Sequence, residues 1–389
     1  MTTALRDRRP AALALADGTV YRGHGFGAVA VASGEVCFNT SMTGYQEILT
    51  DPSYKGQVVC MTYPLIGNYG VNEEDRESEG PQVEGFVVKE CCRTPSNWRA
   101  TMSLDAYLKE HGIIGIEGVD TRALTLYIRS RGAMQCIIST EDTDLGSLKD
   151  RLEGSPGIVG VDLVKEVTCR EPYRWTDPRI PPMGRGVMPR EHGGGERPLH
   201  VVAFDCGIKR NILRILAALG CEVTVVPADT KASKVLELGP DGIFISNGPG
   251  DPEGVPYLIE EVRKLLGVKP IFGICLGQQI LGLAMGGRTY KLKFGHRRAN
   301  QPVKDLRSGR ILITAQNHGF CVDMRTIEDV AETTFVNLND DTLEGLRHRV
   351  YPAYSVQYHP EDSPGPHDAV YLFGEFIRAM RAKRGEGLA

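Results

Sequence analysis

Lys269-Pro270-Ile271-Phe272-Gly273-Ile274-Cys275-Leu276-Gly277-Gln278-Gln279, continued by apolar residues to Met285 and by Gly286-Gly287, decides the fold of the second half of the chain. The short apolar run rich in β-branched residues reads as a buried strand and 277–285 as a helix, so Cys275 falls at the strand-to-helix turn. Gly273 and Gly277 stand two positions either side of it and remove the Cβ atoms that would clash in a sharp turn. This is the G-x-nucleophile-x-G arrangement with Cys in place of Ser. The start of the helix aims its N–H groups and the positive end of its dipole at the sulfur, which favours thiolate over thiol, and the same donors can hold an oxyanion. The alternative for these residues taken alone is a buried cysteine packed under a turn.

Outward from this turn, the pattern from residue 199 on is β-α alternation. Strands are predicted at 200–204, 222–226 and 242–246, with helices at 209–219, stopped by Gly220, and at 257–266. Parallel strands crossed by helices imply a doubly wound, mostly parallel sheet, whose ligands sit beyond the carboxyl ends of the strands. Ser246-Asn247-Gly248-Pro249-Gly250-Asp251-Pro252 follows one such strand with a rigid turn whose backbone N–H groups can approach a ligand, as an oxyanion hole requires; an ordinary tight turn is the alternative. A further strand at 353–358 leads into His359-Pro360-Glu361. In extended backbone His359 and Glu361 point to the same side, so the carboxylate can steer the imidazole. A cysteine nucleophile needs that imidazole to take its proton and return it to a leaving amine. Cys275, His359 and Glu361 thus have the residue types and chain order of a thiol triad, although a lone histidine at a strand end is more often structural.

The first half, 11–163, reads as short strands and turns with a few helices, a mixed β/α domain. Asp17-Gly18 between short apolar runs predicts a hairpin. Gly23, Gly25 and Gly27 lack the strand-to-helix context of a phosphate loop. Strands are expected at 36–40 and 58–63, with 43–46 and 51–54 as polar loops, and Ser103 and Asp120 as helix caps. Prolines at 172, 178, 181, 182, 189 and 198, with five glycines among them, predict a linker. The expected organisation is therefore an N-terminal domain over 1–170, a linker over 171–198 and a doubly wound domain over 199–389.

At 389 residues the chain is long enough for about two or three domains. Its 41% hydrophobic and 24% charged residues are ordinary, and a net charge of −4 offers no basic field for nucleic acid or an anionic membrane surface. No apolar run reaches membrane-spanning length. Ten scattered cysteines without a C-x-x-C pair fit a reducing cytoplasm, and no His or Cys pair has metal-ligand spacing. No G-x-x-x-x-G-K-[ST] is present, so no ATP site is expected here.

Residues 199–389 resemble a class I, triad-type glutamine amidotransferase domain. The resemblance rests on the Cys275 motif, the turn Asn247-Gly248-Pro249-Gly250-Asp251-Pro252 and His359-Pro360-Glu361. The first half looks like that of carbamoyl phosphate synthetase small subunits, through Phe38-Asn39-Thr40-Ser41-Met42-Thr43-Gly44-Tyr45-Gln46, Asp51-Pro52-Ser53-Tyr54 and Gly118-Val119-Asp120-Thr121-Arg122. Gln316-Asn317-His318-Gly319-Phe320 and Ser363-Pro364-Gly365-Pro366-His367-Asp368 match as well. The resemblance implies Cys275 as nucleophile, His359 as general acid/base and Glu361 as its orienting partner. It implies L-glutamine contacts at Ser53, Gly248, Gly250, Leu276, Gln279, Asn317, Gly319 and Phe320, with oxyanion donors near Gly248 and Leu276. It also implies a separate large subunit, in a heterodimer open to further association, that carries ATP, Mg and K, takes ammonia from this chain and makes carbamoyl phosphate for arginine and pyrimidine synthesis in the cytoplasm. No cofactor or metal is expected on this chain. The departures from the pattern are Cys206, Arg298, Gln301 and Asp362, the last adding a carboxylate beside the triad. Two other readings stay open: the amidotransferase component of a different synthetase or a free glutaminase, and a catalytically silent regulatory subunit.

Overall fold

Asp17-Gly18 turns the chain back on itself as the dipeptide predicts, and the strands it joins, Pro10–Leu15 and Val20–Gly27, pair antiparallel. The computed structural model describes residues 9–177, 179, 181 and 197–385. These fall into two compact units, Met1–Val161 with Lys293–Arg297, and Asp162–Leu292 with Arg298–Ala389.

In the first unit seven strands close into a barrel, in the order Pro10–Leu15, Val20–Gly27, Ile114–Glu117, Gly85–Val87, Gln57–Met61, Val31–Asn39 and Met134–Ser139, the last pairing back onto the first. Closure removes the unpaired edges that an open sheet would expose. Gly23 and Gly25 lie within the second strand, where a Cβ on Gly23 would sit 2.2 Å from the Glu117 carbonyl oxygen. Close strand packing, not phosphate binding, accounts for that glycine. Ser103 and Asp120 cap the helices Leu104–Glu110 and Thr121–Arg131, their side chains accepting from Ala106 N and Ala123 N. The stretches expected as plain loops are partly helical: Tyr45–Thr50 is an α-helix and Pro52–Tyr54 a 3₁₀ turn. The second is closed by Asp51 Oδ1, which accepts from Ser53 N at 2.9 Å.

The second unit is built on a ten-stranded sheet. Its centre is parallel, Cys221–Pro227, Leu199–Asp205, Gly242–Ile245, Ile271–Ile274 and Ala353–Val356 lying side by side in that order. Antiparallel strands extend both edges, Tyr173–Arg174 on one side and Leu343–His348, Ala331–Asn337, Arg288–Asp305 and Ile311–Asp323 on the other. The expected linker 171–198 therefore opens with a short edge strand, and most of its remainder lies outside the described residues. Apolar residues on the parallel strands alternate between two cores. Phe244, Phe272, Phe373 and Phe376 fill one face with the helices Arg210–Ala218 and Tyr371–Arg384. Ile243, Ile245 and Ile271 fill the other with Pro256–Leu265 and Leu276–Ala284. Helices on both faces of a mostly parallel centre make the doubly wound class. Among the described residues no helix is long and apolar enough to cross a membrane.

Candidate active site

The strand Ile271–Ile274 ends at Cys275, whose backbone takes φ 56° and ψ −106° before the helix Leu276–Ala284 begins. Such a conformation costs a non-glycine residue about 1–3 kcal/mol and persists only where its surroundings enforce it. They do so by close packing. A Cβ on Gly277 would sit 2.2 Å from the Ile245 carbonyl oxygen, and one on Gly273 would sit 2.6 Å from the Gly277 oxygen. Strand, turn and helix are pressed together, and the thiol stands at the sheet's carboxyl end, only 2% exposed.

The imidazole arrives from the end of the neighbouring strand. Ala353–Val356 runs parallel to Ile271–Ile274, and Cys275 N continues the ladder by donating to Val356 O at 2.8 Å. The chain then leaves the sheet, so His359 and Glu361 meet in a turn and not along the strand expected to 358. Their contact, His359 Nδ1 to Glu361 Oε1, is 2.6 Å. The strand Ile311–Asp323 touches both partners: His359 N donates to Ala315 O at 2.8 Å, and Cys275 Sγ lies 3.5 Å from Asn317 O. Burial alone would lower the pKa of His359; Glu361 and then Cys275 outweigh it and push the imidazole up to about 10. Burial alone would raise Glu361; Lys209 first, then His359, hold it down at about 2. The raised value favours the protonated imidazole near neutrality, with Nδ1 committed to the carboxylate and Nε2 the other ring nitrogen.

Two side chains that the residue patterns do not single out secure Glu361. Lys209, itself buried, places Nζ 2.9 Å from Glu361 Oε1, and Asn211 Nδ2 donates to the Glu361 carbonyl at 2.6 Å. The signal was faint: a lysine opening an amphipathic helix is ordinarily a solvated end. The turn after Gly242–Ile245 is sewn to the turn after Leu199–Asp205. Asn247 Nδ2 donates to Gly207 O at 2.9 Å and Asn247 Oδ1 accepts from Lys209 N at 3.1 Å. Gly248 lies so close to the Cys206 carbonyl that a Cβ would be 2.0 Å from it, and Gly250 has φ +82°. Burial pushes the Cys206 thiol up, away from thiolate.

Residues 13–138 match the model of the carbamoyl-phosphate synthase small chain, CPSase domain, and residues 202–379 that of glutamine amidotransferase class I. A carbamoyl phosphate synthase small chain from Syntrophotalea carbinolica is 59% identical over 96% of this chain and 98% of its own length. This chain belongs to the carbamoyl phosphate synthase small-chain family. Small chains from Synechocystis and Aquifex aeolicus are 54% and 53% identical, over 97% and 95% of this chain and 98% and 99% of their own lengths.

For a small chain of this family, the residues named for glutamine fall as follows. Leu276 opens the helix Leu276–Ala284, Gly248 and Gly250 form the glycine turn, and Asn317, Gly319 and Phe320 lie on Ile311–Asp323. The Gln279 amide group is turned inward, Nε2 donating to Phe320 O at 2.9 Å and to Gln357 Oε1 at 3.1 Å. It fixes that strand against the helix Leu276–Ala284. Ser53 belongs to the first unit, where it is buried in the 3₁₀ turn. The extra carboxylate, Asp362, does not join His359. It turns to His367, Nδ1 to Oδ2 at 2.6 Å.

Proposed function

We propose that this chain hydrolyses L-glutamine and delivers the ammonia to a carbamoyl phosphate synthase large subunit. The observation that carries this reading is the single buried cluster of Cys275, His359 and Glu361, in which the carboxylate bonded to the ring makes the imidazole a proton donor at neutral pH. Cys275 as thiolate attacks the side-chain amide carbon, and the carbon–nitrogen bond breaks as His359 gives its proton to the departing amine. Ammonia leaves a γ-glutamyl thioester. Water, losing a proton to the now neutral His359, cleaves the thioester to glutamate and restores the thiolate–imidazolium pair. Backbone N–H groups near Gly248 and Leu276 hold the oxyanion, each donor contributing about 10² to 10³ in rate. Gly250, Gln279, Asn317, Gly319 and Phe320 form the rest of the glutamine site on the second unit, Gln279 through the strand it braces. The large subunit, a separate chain in the cytoplasm, supplies ATP, Mg and K and uses the ammonia to make carbamoyl phosphate for arginine and pyrimidine synthesis.

The test is Cys275→Ser in the complex with the large subunit. Glutamine-dependent carbamoyl phosphate synthesis is lost while ammonia-dependent synthesis survives. Equal loss of both, or a wild-type complex that uses ammonia and not glutamine, would sink the reading, the latter in favour of a silent regulatory subunit.

A further inference from the structure

Directly after the triad carboxylate, the chain builds a second carboxylate–imidazole pair that the hydrolysis above does not use. Asp362 is 1% exposed, yet its partner His367 is 42% exposed. Asp362 and Ser363 take φ of 63° and 57° in succession, a left-handed turn that two non-glycine residues hold only against strain. That turn points the Asp362 carbonyl inward, where Lys209 Nζ donates to it at 2.5 Å. The same Nζ lies 2.9 Å from Glu361 Oε1, the oxygen bonded to His359. One buried ammonium therefore joins the strained turn to the group that steers the base. Beyond the pair, Asp368 Oδ2 accepts from Ile313 N at 3.0 Å, which pins the far end of the loop.

We infer that Asp362 and His367 form a positioning pair: their bond holds the turn that presents the Asp362 carbonyl to Lys209, and so conveys the protonation of a partly exposed imidazole to the Lys209–Glu361 contact. The inference rests on the proposed glutaminase reading and deepens it to a regulation of the same site. The charged groups that face the pair are few. Glu361 and Lys209 act on Asp362 with opposite sign, and Asp362 and Asp368 act on His367. Burial pushes Asp362 up to about 7, and the bond to Asp362 raises His367 against the burial that would lower it. The bond couples the two titrations. Because both values are raised in the folded chain, protons favour the closed pair; rising pH removes the proton that the two share, leaves the Asp362 carboxylate charged in its buried place and loosens the turn. Lys209 then loses its carbonyl partner, and hydrolysis weakens as pH rises through about 7.

The experiment is the pH dependence of glutamine hydrolysis by the complex with the large subunit, from about pH 6 to 8.5, for wild type, Asp362→Asn and His367→Gln. Both variants are expected to displace the alkaline-side midpoint of kcat by about half a unit or more, with KM for glutamine within about twofold of wild type. His367, at the exposed end of the pair, keeps the test available should Asp362→Asn fail to fold. Profiles that superimpose on wild type, or a uniform fall in kcat at every pH, would overturn the inference while leaving the glutaminase reading intact. A wild-type complex without glutamine hydrolysis would overturn both.

Discussion

Two carboxylate–imidazole pairs follow one another within nine residues, Glu361 with His359 and Asp362 with His367, each closed by a 2.6 Å contact from Nδ1. Chemically they are the same device, and they behave oppositely. Glu361 is held down at about 2 and Asp362 is pushed up to about 7. Both carboxylates are buried, so burial does not separate them. The difference is where Lys209 puts its charge: its Nζ meets the side chain of Glu361 but only the backbone carbonyl of Asp362. The nearness of that ammonium helps hold Glu361 ionised beside its histidine, while Asp362, which meets it only through the backbone, is pushed up by burial and by Glu361.

The largest expected effect breaks the first pair's client. Cys275→Ser should lower glutamine hydrolysis by about 10³-fold or more with ammonia-dependent synthesis retained, measured as carbamoyl phosphate formed from either nitrogen source. Glu361→Gln leaves shape and removes charge. Hydrolysis should fall by about 10²- to 10⁴-fold. Because Glu361 is what raises His359, the loss should be greater at pH 8 than at pH 6.5, where more of the ring still carries its proton; an equal loss at both would refute that role for the carboxylate. Lys209→Met sharpens the comparison directly, since it should lift Glu361 from its depressed value and slow hydrolysis by about 10- to 100-fold at pH 7, with the deficit growing toward lower pH as Glu361 takes up a proton.

The smallest effect is on stability, and here the pairs differ in sign. A carboxylate depressed to about 2 contributes stability that is present above its ordinary value of 4.5 and lost as pH falls through about 2. A carboxylate raised to about 7 contributes stability present below 3.8 and lost as pH rises through about 7. Asp362→Asn should therefore melt higher relative to wild type at pH 8 than at pH 5. A melting-temperature difference that does not change between the two pH values would place the Asp362 charge in solvent instead.

The first pair was legible in the sequence and the second was not, for physical reasons. His359 and Glu361 stand at the end of an apolar run, where strand geometry limits what they can face, and Cys275 is announced by glycines whose missing Cβ atoms have no room. Asp362 follows the same motif, but its partner lies across a left-handed turn that two ordinary residues are not expected to adopt. Lys209 hid at the head of a helix, because nothing local distinguishes a buried lysine from a solvated one. The parallel centre of the sheet could be read from β-α alternation. Closure of the first unit into a barrel could not, since it depends on Met134–Ser139 returning to pair with Pro10–Leu15, a register fixed only by distant partners. The helix Tyr45–Thr50 was hidden for another reason: its buried face includes Gln46 and Thr50, whose polar side chains bond to the backbone instead of marking an apolar stripe.

The adjacency of Ile271–Ile274 and Ala353–Val356 has a consequence during synthesis. The chain emerging from a ribosome exposes the thiol long before its imidazole has been translated, and everything between must fold out and return before the two strands can register. Until that homecoming the nascent sulfur has neither its neighbouring imidazole nor an enforced turn.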